Sequence, residues 1–266
     1  DGEGGPVDFA EARRLLRLAA AQGHTDAQYN LGTRHYLGQG GPVDFAEARR
    51  LFGLAAAQGH ANAQCNLGGM HQKGQGGPVD LAEARRQYGL AAAQGNAHAQ
   101  TMLGHMHCGG HGGPVDFAEA RRLFGLAAAQ GDGKAQYNLA VMHHDGHGGP
   151  VDFAEARRLF GLAAEQGDAN AQCALGAMHR SGEGGQIDFA EARRLFGLAA
   201  AQGHAQAQCA LGLMHQRGEG GPADVAEARR LYGLAAAQGH ANAQWALGVM
   251  HHSGESGPVD AAEARR

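Results

Sequence analysis

Residues 105–113 read His-Met-His-Cys-Gly-Gly-His-Gly-Gly, placing three histidines and a cysteine within seven positions. Imidazole nitrogen and thiolate sulfur at that density form a donor set for Zn²⁺ or Ni²⁺. A second group, His143, His144, Asp145 and His147, follows at the equivalent place further along the chain. A different chemistry is offered by a recurring arginine pair, from Arg13 and Arg14 through Arg49 and Arg50 to Arg265 and Arg266. Guanidinium groups in a row suit carboxylate-rich or phosphorylated partners. Catalytic sets are missing from the pattern: no nucleophile, base and acid stand together, and Ser181 and Ser253 sit in glycine turns. The G-x-G-G runs lack the preceding strand and the following Lys-Ser/Thr of a phosphate-binding loop. No cofactor is expected.

The elements that position these residues are repeats. The tetrapeptide Ala-Glu-Ala-Arg recurs eight times, with Glu11, Glu47, Glu83, Glu119, Glu155, Glu191, Glu227 and Glu263 at a constant spacing of 36 residues. The repeats therefore run 8–43, 44–79, 80–115, 116–151, 152–187, 188–223 and 224–259, with a partial repeat at 260–266 inside one array, 1–266. In the second repeat Asp44 is the expected cap of a first helix, with Glu47 three residues on at capping-box spacing. Phe45, Ala48, Leu51, Phe52 and Ala55 fall on one helical face, and Gly59 is the expected stop. A second helix follows, capped at residue 60 or its equivalents, of which Asn96, Asp132 and Asp168 are good caps. Ala63, Leu67, Met70 and His71 form its stripe, and the glycine-rich run ending in Pro78 turns the chain back. A single hairpin cannot bury its apolar faces; stacked hairpins share a core and give an all-α solenoid.

Composition bounds the function. Glycine counts 45 and aromatics make up only 6% of 266 residues, so the core is thin and built on alanine. The formal net charge of −4 argues against general nucleic-acid binding, which needs a basic surface. No apolar run approaches the roughly 18 residues needed to span a bilayer. The chain opens on Asp1 rather than methionine, so its start says nothing about targeting.

The second repeat also carries Ala48, Ala55, Ala56, Gly59, Ala63, Gln64, Leu67, Gly68, Met70, Gly74 and Gly76 in a pattern that resembles the Sel-one-like repeat family, a relative of tetratricopeptide repeats. The resemblance covers essentially the whole chain. It implies a right-handed α/α superhelix of 36-residue helix-turn-helix repeats, without catalytic residues of its own. It also implies a scaffold or adaptor role, with a concave groove holding another protein or peptide. Two features depart from the family pattern: histidine stands where tyrosine is usual, and glycine stands midway along the first helix.

Those departures mark the candidate residues. The ladder His35, His71, His107, His143, His179, His215 and His251 has rungs about 8–10 Å apart if neighbouring helices stack normally. That is too far to share a zinc with bonds of about 2 Å, so the rungs read as half-buried rings at the hairpin edge. Within the opening cluster only His105, Cys108 and His111 are particular to their repeat. His107, Cys108 and His111 are the weak metal candidates, with Gly109 and Gly110 expected to end the helix there. Cys65, Cys173 and Cys209 share one repeat position and read as reduced packing residues, which weakly favours a reducing compartment. The face opposite the core carries Arg49, Arg50, Gly53, Arg85, Arg86, Gly89, Arg121, Arg122, Gly125, Arg157, Arg158, Gly161, Arg193, Arg194 and Gly197. It reads as a shallow, arginine-rimmed groove for an acidic protein or peptide, or for the other subunits of an assembly. The arginines also have nearby acids to pair with, Arg50 with Glu47 for instance. A histidine-rich metal-binding protein is the alternative function.

Overall fold

The computed structural model of the chain describes residues 8–253. Among the described residues there are fourteen α-helices of 13 residues each and no strand. They are α1 (Phe9–Ala21), α2 (Thr25–Leu37), α3 (Phe45–Ala57), α4 (Ala61–Lys73), α5 (Leu81–Ala93), α6 (Ala97–Gly109), α7 (Phe117–Ala129), α8 (Gly133–Asp145), α9 (Phe153–Glu165), α10 (Ala169–Ser181), α11 (Phe189–Ala201), α12 (Ala205–Arg217), α13 (Val225–Ala237) and α14 (Ala241–Ser253). Odd-numbered helices are the first helices of the repeats and even-numbered ones the second, so the chain is an α/α solenoid of helix hairpins. It divides into two compact units, residues 1–135 and 136–266, with the boundary inside α8.

The caps follow from the sequence, with one rearrangement. Asp44 Oδ1 accepts from the Glu47 backbone N–H at 3.0 Å, and the same bond starts α5, α7, α9, α11 and α13. The reciprocal half of the capping box goes unused: the Glu47 carboxylate turns forward to Arg50. Second helices start on Asn96 or Asp168, as their side chains suggest, and equally on histidine. His60 Nδ1 accepts from Ala63 N–H at 3.1 Å, doing the work of an asparagine oxygen. Each second helix with a described cap ends on a left-handed glycine, such as Gly74 at φ +67°, a conformation open to residues without Cβ.

In the first unit, Ala48, Ala55 and Ala63 are completely buried, and Leu51, Phe52 and Met70 nearly so. In the second unit Ala192, Ala199, Ala207, Phe196 and Met214 repeat the pattern. Alanine lets the backbones approach, and one aromatic ring per junction fills what remains. That ring lies on a glycine: a Cβ on Gly104 would stand 2.7 Å from the Phe124 ring, and one on Gly68 would stand 3.0 Å from Tyr88. That close approach favours glycine and accounts for the recurring Leu-Gly pair, although Ala140 carries the methyl at this position in α8 and is itself fully buried.

Register between repeats is set by buried glutamines. Gln64 Nε2 donates to Ala56 O at 3.2 Å, and Gln94 of the next repeat donates to Gln64 Oε1 at 2.7 Å. The same two bonds recur at Gln100 and Gln130, at Gln172 and Gln202, and at Gln208 and Gln238. Each glutamine closes its own hairpin and receives the next one. A buried carboxamide satisfied on both sides tolerates little sliding.

Candidate functional site

The two arginines of each pair do different things. Arg50, exposed, forms a two-pronged bond to Glu47 one turn earlier, with its Nη2 2.7 Å from Oε1. Arg86, Arg122, Arg158 and Arg194 do the same with Glu83, Glu119, Glu155 and Glu191. These hydrogen bonds hold the glutamates below the ordinary carboxylate range, Glu83 down to about 2 with help from Gln87. The pairing of Glu47 with Arg50 was legible from the spacing of three.

Arg49, half-buried, turns to the opposite end of its own hairpin. Its Nη2 donates to His71 Nδ1 at 2.7 Å, and its Nη1 donates to Pro78 O in the turn at 3.3 Å. Arg85 holds His107 and Pro114 O in the same way, Arg157 holds His179 and Gln186 O, and Arg193 holds His215 and Pro222 O. Arg13 and His35 make the first such pair, at 2.6 Å. Arg121 occupies the same half-buried position on α7. A guanidinium has only donors, so the imidazole must present a lone pair and be neutral. Burial first, then the facing arginine, lowers the pKa of His71, His107, His179 and His215. This link is not anticipated by the sequence reading, though its signal is there: arginine and histidine stand 22 residues apart in each of these repeats.

The outward face of the first helices is low in relief. Gly53, Gly89, Gly125, Gly161 and Gly197 are partly exposed, and a Cβ at any of them would meet nothing within 4 Å. Beside them Leu54, Leu90, Leu126, Leu198 and Leu234 are 41–43% exposed, and Leu162 at the same position of α9 is partly exposed. The face is therefore an apolar stripe of leucine knobs and glycine gaps, bordered by neutral Glu–Arg pairs.

Comparison with known proteins fits this architecture. The Sel1 repeat model matches the chain at residues 1–24, 25–60, 61–96, 97–132, 133–168, 169–204, 205–240 and 241–266. The chain belongs to the Sel1 repeat family. The family's segments keep the 36-residue period but open on the second helix of each hairpin. Among solved structures, a protective antigen present in uropathogenic Escherichia coli strains, displaying an SLR fold, superposes with a TM-score of 0.89 at 34% identity over 93% of this chain. The chain spans about half of that protein, 53% of its length. A Sel1 repeat protein from Oxalobacter formigenes superposes with a TM-score of 0.76 at 35% identity, covering 96% of this chain and 73% of that one. No curated protein matches the chain.

Within the Sel1 repeats the opening cluster comes apart. His107 faces Arg85, and His105 lies edge-on to the Phe124 ring at 5.1 Å. Cys108 is half-buried on the last turn of α6, and burial raises its thiol pKa. Gly109 is the last helical residue and Gly110 the left-handed cap, so exposed His111 stands in the turn beyond. Among the described residues, no three of His, Cys, Asp and Glu converge as metal donors. Cys65 and Cys173 are free, buried thiols pushed up to about 11 by desolvation.

Proposed function

We propose that this Sel1 repeat chain is a non-enzymatic scaffold or adaptor, or a subunit of a larger assembly, that holds a protein or peptide along the outward face of its first helices. The observation that carries this reading is the glycine row. Glycine inside a helix costs roughly 1 kcal/mol relative to alanine. Nothing in the chain's own packing requires it, because the space over Gly53 and its equivalents is open. A close-approaching partner supplies the reason. The leucine row gives that partner apolar contacts. Exposed Glu–Arg pairs are worth only about 0–1 kcal/mol, so an acidic group on the partner can draw Arg50, Arg86, Arg122, Arg158 and Arg194 toward itself.

The test uses native material. A photo-crosslinking residue in place of Gly125 or Gly197 is expected to trap the partner, whereas one at exposed His111 traps little. Arg122→Glu with Arg158→Glu is expected to weaken binding of the trapped partner at least tenfold while leaving the thermal midpoint within a few degrees. Equal affinity, or equal trapping from His111, overturns the assignment of this face.

A further inference from the structure

The ladder histidines do more than close hairpins, because each belongs to two repeats at once. The His71 ring accepts from Arg49 of its own hairpin, and the His71 carbonyl accepts from the backbone N–H of Asp80, the cap of the next repeat, at 3.0 Å. The same double attachment holds at His35, His107, His179 and His215, with the arginine Nη2 2.6–2.8 Å from Nδ1 and the cap N–H 2.8–3.0 Å from the carbonyl. Arginine, histidine and cap aspartate are constant at these three positions throughout the sequence, whereas the residue after the histidine is tyrosine, glutamine, cysteine, histidine or arginine.

Each ring therefore stands between a cation and a carboxylate. The charged groups facing His71 are Arg49 on α3, and Asp80, Glu83 and Arg86 at the start of α5. Glu83 and Arg86 are engaged with each other at 2.7 Å, which leaves Arg49 and Asp80 as competitors for the ring. Asp80 uses Oδ1 to cap α5, at 2.9 Å from the Glu83 N–H, and among the described residues its Oδ2 holds no partner. The same four kinds of group surround His107, His179 and His215, and Arg17 faces His35 in addition to Arg13, Asp44 and Glu47.

A proton taken from solvent at Nδ1 turns the acceptor of the Arg49 bond into a donor. Two cations that can only donate then face each other, and the bond is lost. The acceptor that the imidazolium finds within the same joint is the Asp80 carboxylate. We infer that each of these histidines is a two-position joint, held by the arginine of its own hairpin when neutral and by the cap aspartate of the next repeat when protonated. The move frees Arg49, which also carries the 3.3 Å contact to Pro78 O, so the turn between repeats loosens while the helices stay formed. Five copies of the joint give the array a common response to mild acid, at a pH below the free-histidine value near 6.5. The inference does not depend on which face holds a partner.

The test is made by NMR on the full chain, labelled with ¹⁵N in histidine and arginine. At pH 7.5 the ladder rings are expected to show a lone pair on Nδ1 and a proton on Nε2, with slow rotation of their arginines about the guanidinium bonds. Near pH 5 the rings are expected to be imidazolium and rotation of Arg49, Arg85, Arg157 and Arg193 to quicken at least tenfold, while far-UV ellipticity stays within about a tenth of its neutral value. Asp80→Asn keeps a good helix cap and removes the anion. The His71 transition is then expected to move down by about half a pH unit or more, and that of His107 to stay in place. Asp188→Asn is the second variant, read at His179 in the other compact unit. Rings that protonate without a change in arginine rotation, transitions unmoved in both variants, or ellipticity lost together with ring protonation overturns the joint.

Discussion

His71 and His144 occupy neighbouring positions of the 36-residue pattern, in two different repeats, and their surroundings drive them in opposite directions. His71 is a rung of the constant ladder. It accepts from Arg49, is faced across the junction by Asp80, Glu83 and Arg86, and its pKa is lowered, by burial first and Arg49 next. His144 stands one position later, where every neighbour differs. Its Nδ1 lies 2.6 Å from Asp145 Oδ1 and its Nε2 lies 3.3 Å from Glu183 Oε2 of the following repeat, and these acids raise its pKa. Tyr36 with Gln75 and Arg180 with Glu219 bridge repeats at the same 39-residue separation. The constant position thus closes each hairpin with one neutral device. The variable position joins several of the hairpins to the next, each with a pair of its own.

Removing the constant device should produce the largest effect. Arg85→Met deletes the bonds to His107 and Pro114 O and leaves a half-buried imidazole without its donor. A loss of about 2–3 kcal/mol is expected, seen as a fall of roughly 5–10 °C in the thermal midpoint. His107→Gln keeps an acceptor for Arg85 and should lose under about 1 kcal/mol. The pH dependence separates the two contributions. A lowered histidine pKa gives stability that is fully present above the unfolded value near 6.5 and is lost as pH falls through the folded value. Urea midpoints of the parent chain should therefore drop between pH 7 and 5, and those of His107→Gln should drop less. Below pH 5 the glutamates take over, since Glu83, at about 2, loses its advantage as pH falls toward that value. A parent chain equally stable at pH 7 and pH 5 would contradict the neutral ladder.

The fold was legible because the repeat is regular at every level. Asp44, Glu47, Gly59 and Gly74 announce helix starts and stops, and an exact period leaves few ways to arrange them. The arginine face was half legible. Arg50 with Glu47 is a local pair, visible in the spacing; Arg49 with His71 joins opposite ends of a hairpin, and no helical periodicity points to it. The bond from the Tyr88 hydroxyl to Gln72 was hidden for a different reason: its two residues come from adjacent repeats, so reading one unit at a time shows two unrelated choices.

A middle-sized effect comes from a place where the constant core is broken. Leu51, Leu123, Leu159, Leu195 and Leu231 are buried at one position of the first helix, and Gln87 stands there in α5. Its Nε2 donates to Glu83 Oε1 at 2.7 Å, but its buried Oε1 has no partner. A buried acceptor left unmade costs about 1–3 kcal/mol, partly offset here by the bond to Glu83. Gln87→Leu is expected to raise stability by about 1 kcal/mol and to raise the pKa of Glu83, measurable by carboxylate NMR titration. No gain in the urea midpoint would mean that the Gln87–Glu83 bond outweighs the unsatisfied oxygen.

The smallest expected effect has the opposite pH sign and sharpens the comparison most. His144 carries a raised pKa, so its contribution is fully present below the unfolded value near 6.5 and is lost as pH rises through the folded value. Its ring and both acids are 37–43% exposed at the side chain, so solvent screening holds the contribution to a few tenths of a kcal/mol. His144→Gln introduces the residue found at Gln72 and Gln216, which the fold accepts. The difference in urea midpoint from the parent chain should be measurable at pH 5.5 in low salt, shrink in 0.5 M salt, and vanish by pH 8.5. A difference that persists at pH 8.5 would show that packing of the ring on Phe153, 5.3 Å away at an edge-on angle, carries the contact instead of charge. In that case the variable junction would resemble the constant ladder in being indifferent to protonation above neutrality, and the contrast between the two positions would narrow to which atoms they touch.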